Sequence, residues 1–95
     1  MTEKESHTQG PVVSTDRTDV AAFMLAKNNE LLSVEMAGTR LIFFFANSGG
    51  KAAAAQVDYF AGGTVAAITF CEMRRRVMSL VWQYRRKQTE PENDE

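Results

Sequence analysis

Residues 31–46 read LLSVEMAGTRLIFFFA, and they decide the fold class. Leu32, Val34 and Met36 alternate with Ser33 and Glu35, the period-two pattern of a strand with one wet face. Ala37 and Gly38 supply a tight turn. The second run is different. Leu41, Phe43 and Phe45 point one way, and Ile42, Phe44 and Ala46 the other, so both faces of that strand require cover. Two strands alone do not make a stable independent sheet. Either helices cover both faces, or the hairpin pairs with a second chain and extends its sheet across a dimer.

Helical patterns flank the hairpin. Upstream, STDRTD over residues 14–19 offers several N-cap residues and places Asp16 and Asp19 near a positive helix terminus. The following VAAFMLAK favours a short amphipathic helix that stops at Asn28 and Asn29. Its Val20, Phe23, Met24 and Leu25 are expected to pack on the sheet. Downstream, the loop Asn47-Ser48-Gly49-Gly50-Lys51 leads into AAAAQVDYFAGG, a helix ended by Gly62 or Gly63.

The stretch from Thr64 to Lys87 reads as one long helix with two faces. Phe70, Met73, Val77, Leu80 and Tyr84 step by three and four, which defines a buried stripe. This stripe also fits an a/d heptad, but over too few repeats to define a coiled coil. Roughly opposite lie Cys71, Met78 and Trp82, interleaved with Arg75 and Arg86. Candidate binding residues are therefore Arg74, Arg75, Met78, Trp82, Arg85 and Arg86. Arginine makes bidentate contacts to phosphate, indole stacks on unpaired bases, and both anchor protein interfaces. Three uses stay open for this surface: nucleic-acid contact, protein contact, or a solvated helix with Trp82 capping the core. Arg85, Arg86 and Lys87 also oppose the negative end of the helix dipole, which explains their position without any ligand.

Ninety-five residues allow one small domain. Residues 1–15 and 88–95 are polar enough to be expected as disordered arms, leaving residues 16–87 as the globular part. A core of roughly seventy residues is near the lower limit for independent stability, which favours a homodimer. Net charge is −1, yet residues 16–87 hold ten basic against six acidic side chains, while Glu90, Glu92, Asp94 and Glu95 crowd the C-terminal arm. That arm either folds back over the arginines or serves solubility. No apolar run is long enough for a membrane span, and the N-terminus lacks signal-peptide features. A cytoplasmic protein with a reduced thiol is expected.

Enzymatic chemistry finds little support. His7, the single histidine, lies in the N-terminal arm, and Cys71, the single cysteine, has no evident base. No disulfide or metal cluster can be built on these two residues. The strand, glycine turn, lysine and helix order invites comparison with a phosphate-binding loop. However, Phe45 stands where that motif needs glycine, and Ala52 where it needs Ser or Thr.

The order TDRTDVAAFMLAK, LLSVEMAGTRLIFFF and VDYFAGG followed by a final helix resembles a small uncharacterised domain family found in bacteria and their phages. The resemblance spans residues 14–82. It implies a compact helix, hairpin, helix, helix domain and a link to bacterial or mobile-element biology, and carries no catalytic residue over. The expectation is thus a single α+β domain of order α-β-β-α-α. It is a non-enzymatic binding module without cofactor, metal or membrane contact. Its partners are a second copy of itself and either DNA or RNA, with a protein-interaction adaptor or inhibitor as the alternative.

Overall fold

A computed structural model describes residues 11–89. Along the chain come β1 (Val12–Thr15), α1 (Thr18–Ala26), β2 (Leu31–Ala37), β3 (Arg40–Ala46), a short 3-10 turn (Ser48–Gly50), α2 (Lys51–Phe60) and α3 (Ala67–Thr89). The fold is α+β, with a three-stranded antiparallel sheet in the order β1-β3-β2. The expected helix, hairpin, helix, helix succession is present, preceded by an additional strand. Residues 12–15, expected in a disordered arm, pair with β3 instead, with Val12 opposite Ala46 and Thr15 opposite Phe43. The remainder of that arm, residues 1–10 with His7, and the acidic residues 90–95 lie outside the described residues. α3 starts at Ala67 rather than Thr64 and continues past Lys87 to Thr89.

The hairpin contains an irregularity that simple alternation does not predict. Leu31 pairs with Phe45 and Ser33 with Phe44, so the register shifts between them and Leu32 is the extra residue of a bulge. The inward face of β2 is therefore Leu31, Val34 and Met36. Leu32, expected on that face, is 47% exposed.

The core lies on one side of the sheet. Leu41, Phe43 and Phe45 are buried with Val20, Ala21, Ala22 and Met24 of α1, Ala52 and Ala55 of α2, and Val77 and Val81 of α3. Val20 to Met24 are five successive buried residues, so α1 is enclosed on all sides rather than amphipathic. Its two central alanines let neighbouring helices approach closely. On α3 the expected stripe faces inward: Val77 is fully buried, and Phe70, Met73, Leu80 and Tyr84 are half-buried against the core. With the helices on one face only, the shortest dimension is 19 Å, about what a sheet and one helix layer occupy.

Both short helices close in the same way. Asn28 adopts a left-handed φ of 69°, while the amides of Asn28 and Asn29 donate to the carbonyls of Leu25 and Met24 at 2.9 and 3.0 Å. Gly62, with φ of 91°, and Gly63 repeat the pattern on Tyr59 and Asp58. These are Schellman endings. At Gly63 an added Cβ would fall 2.4 Å from the Asp58 carboxylate, so a side chain is excluded without movement. Lys27 and Asp58 then join the two helix ends at 3.4 Å.

The opposite end of α1 is tied to α2 by Asp19. Its carboxylate accepts hydrogen bonds from the Tyr59 hydroxyl at 2.5 Å and from the Val20 amide at 3.0 Å, and pairs with Arg17 at 3.1 Å. The Tyr59 ring meets Phe23 edge-on, with centroids 5.3 Å apart. Partial burial alone would raise the Asp19 pKa. The hydrogen bonds from Tyr59, Arg17 and Val20 and the nearby guanidinium outweigh it and hold this carboxyl below its usual range.

Two outcomes follow for stability. Phe45→Ala removes a fully buried ring and is expected to cost about 3–5 kcal/mol in denaturant titrations. Because the Asp19 pKa is depressed on folding, its contribution is complete above the unfolded value of about 4 and is lost as pH falls through the lower folded value. Asp19→Asn should therefore unfold at lower denaturant than the parent chain at pH 7, with the gap closing in strong acid. A gap that does not change with pH would show that the charge of Asp19 contributes nothing.

Candidate functional site

The candidate surface is built on α3, a helix of 23 residues. Val77 and Val81 anchor it to the core, and helical geometry then turns the residues half a turn away to the outside. Trp82 is 65% exposed, and Cys71, Arg74, Arg75, Arg85 and Arg86 are exposed with it. Arg75 and Arg86 bracket the indole along about 16 Å of helix axis. Arg74 and Arg85 stand on one flank, about three turns apart.

Met78 departs from its expected position. It is half-buried and packs against the core, because it sits only about 100° around the helix from Val77. It supports the flank beneath Arg74 and Arg85 rather than forming the outer surface. Arg76, third of the arginine triplet, lies on the other flank and directs a guanidinium N–H to the Met73 sulfur at 3.5 Å. Of the three uses left open by the sequence, a Trp82 that caps the core is removed by its exposure.

One further residue, with no charge or aromatic ring to mark it in the sequence, extends this surface. Ile68 is 74% exposed and precedes Arg75 by seven, as Arg75 precedes Trp82. This spacing of seven places all three on nearly the same line of the helix. The charge is one-sided as well: α3 carries six basic residues and one acidic residue, Glu72.

The glycine turn before α2 is a helix start. Gly49 and Gly50 take left-handed φ values of 65° and 76°, and the Asn47 side-chain oxygen accepts the Ala53 amide at 2.9 Å, capping α2. Lys51 donates to the Asn28 carbonyl at 3.2 Å, so its ammonium ties α2 to the end of α1. Shallow hollows meet around the buried Asn29, the largest about 460 Å³ and lined by residues that include Leu31, Met73 and Leu80. Asn29 spends its side-chain N–H on the Met24 carbonyl at 3.0 Å, and so closes α1. Among the described residues, no group of three or more His, Cys, Asp or Glu comes together as a metal site. Among those residues, too, no helix is long and apolar enough to cross a membrane.

Trp82 is the single tryptophan and reports directly on this surface. Its native fluorescence should be readily quenched by acrylamide and should shift little on unfolding. Trp82→Ala is expected to change stability by no more than about 0.5 kcal/mol, as for other surface positions. A larger loss would place the indole in the core.

No family model, curated protein or solved structure matches this chain, so a functional assignment rests on the geometry of the chain itself.

Proposed function

We propose that this protein is a non-enzymatic binding module that contacts single-stranded nucleic acid through the outer side of α3. The observation that carries the proposal is the exposure of Trp82 between Arg75 and Arg86. An indole in that position offers a stacking face, and guanidinium groups on either side offer bidentate phosphate contacts. Unpaired bases present their faces for stacking, whereas a duplex hides them, so the proposed ligand is single-stranded. The predominance of basic residues on α3 adds long-range attraction for a polyanion. The setting proposed is the cytoplasm of a bacterium or of a phage-infected cell, where an exposed thiol such as Cys71 stays reduced.

A second use is favoured by one feature. Ile68 extends the same line with an apolar side chain that has nothing to offer a phosphate. A protein partner would use Ile68 and Trp82 as apolar anchors with arginine around them.

Fluorescence anisotropy of dye-labelled short DNA and RNA oligonucleotides, single- and double-stranded, titrated with the protein separates the two. With single strands bound, Trp82→Ala should weaken affinity by about 1–3 kcal/mol. Arg75→Glu with Arg86→Glu should weaken it further and lower the salt slope by about 0.7 for each lost contact. Absence of binding to every oligonucleotide at low ionic strength would eliminate nucleic acid and leave the protein-docking use. In that case Trp82→Ala would disrupt association while moderate salt has little effect.

A further inference from the structure

The sheet has a second face that the helices do not touch. Ile42, Phe44 and Ala46 of β3 point away from Phe43 and Phe45, and with Val12 and Leu32 they stand outside the core cluster. Val12 is 48% exposed and Leu32 47%. An aromatic ring on a central strand, half-buried and with no layer above it among the described residues, is unusual for a one-sided antiparallel sheet, whose outer face is normally polar. We infer that this face docks against the same face of a second copy of the chain, producing a face-to-face sheet dimer.

The composition of the face is what selects a second copy. β1 and β2 flank β3 with residues of like character at each level. Ser14 and Ser33 both stand opposite Phe44. Near Ala46, Val12 is on one side and the bulge residue Leu32 on the other. A twofold axis along β3, lying between two facing sheets, sets β1 of one copy above β2 of the other. It therefore matches serine with serine and valine with leucine, and lets each Phe44 ring seat beside the small serines of its partner.

The charges agree with this operation. Glu35 stands opposite Ile42 on the β2 side and has no ion-pair partner among the described residues. On the β1 side, the Arg40 guanidinium reaches across to Asp16. The same axis brings Glu35 of one copy over the Asp16–Arg40 pair of the other, where the exposed guanidinium has N–H groups left for a second carboxylate. A polyanion finds nothing comparable here, since this face offers it one guanidinium beside two carboxylates, Asp16 and Glu35. The face spans three strands of at most seven residues, a footprint of about 14 by 23 Å on each copy, smaller than a standard specific interface, so the dimer it makes is weak and reversible. The proposal does not depend on α3, whose Trp82 belongs to the helix layer.

Sedimentation analysis from about 1 to 500 µM protein tests it, since this range brackets a micromolar dissociation constant. The parent chain should pass from monomer to dimer, Trp82→Ala should do the same, and Phe44→Lys should remain monomeric. Leu32→Lys, at a bulge position outside the core, is the second variant should Phe44→Lys fail to fold, and it too should remain monomeric. The axis is checked by crosslinking. In a Cys71→Ser background, Ser14→Cys combined with Ser33→Cys should give a covalent dimer with a short bifunctional maleimide, whose reach matches facing sheets, whereas either substitution alone should not. A parent chain that stays monomeric throughout overturns the inference. So does a dimer that survives Phe44→Lys or Leu32→Lys but is lost in Trp82→Ala.

Discussion

Phe43 and Phe45 of the central strand are fully buried together with the enclosed helix α1, and the remaining elements are arranged around that contact. α1 has only nine residues, too few to be stable alone in water. Val20 to Met24 leave it no polar side in the middle of its length. It can exist only if neighbours enclose it. The sheet supplies one wall, α2 supplies a second through Ala52, Ala55 and the Tyr59 to Asp19 hydrogen bond, and α3 supplies a third through Val77 and Val81. Small residues at these contacts keep the walls close, and the loss of any wall would expose apolar α1 surface to water.

The same arrangement determines what is left outside. Each outer element spends one side on α1 and keeps the other. For α3 the remaining side is basic and carries Trp82; for the sheet it is apolar along the central strand, at Ile42, Phe44 and Ala46, with serines and charges to either side. A domain this small cannot cover both faces of a strand as apolar as β3 with its own helices. Strand β1 completes the pairing of β3 on its second edge but adds nothing above Phe44. Its addition thus answers the hydrogen-bonding demand of the central strand and leaves the demand for burial unmet.

The parts of the fold legible in the sequence were those governed by local pattern. The hairpin, its Gly38 turn with φ of 66°, the Asn28 and Gly62 helix ends, and the inward stripe on α3 all depend on residues near one another in the chain. β1 was not legible, because four residues with the pattern VVST show no alternation strong enough to separate a strand from a polar arm, and its partner is some thirty residues away. The bulge at Leu32 inverts which leucine faces inward, and nothing in LLSVEM distinguishes a bulged from a regular strand. On α3, Arg74, Arg75, Trp82, Arg85 and Arg86 are exposed. Met78, read as part of the outer surface, is half-buried, and Val81, absent from the stripe, is buried, because a stripe drawn through five positions leaves its own edges undefined. The rotation of α3 is set by how closely Val77 and Val81 fit α1, and that is a tertiary fact.

Taken together, the two proposed surfaces constrain each other. Facing sheets would form the middle of a dimer, with a helix layer outside each, in four layers about 10 Å apart. The two Trp82 surfaces would then belong to the outermost layers on opposite sides of the assembly, separated by roughly 30 Å or more. A strand held by one copy would have to pass around the edge of the particle to reach the other. A short oligonucleotide would therefore occupy a single copy, and dimerisation would raise affinity only for strands long enough to wrap, because a linker that cannot span two sites adds no effective concentration. Intrinsic binding by one α3 surface should consequently be the same in monomer and dimer. Disabling Phe44 would remove an advantage confined to long strands and leave the contact around Trp82 intact.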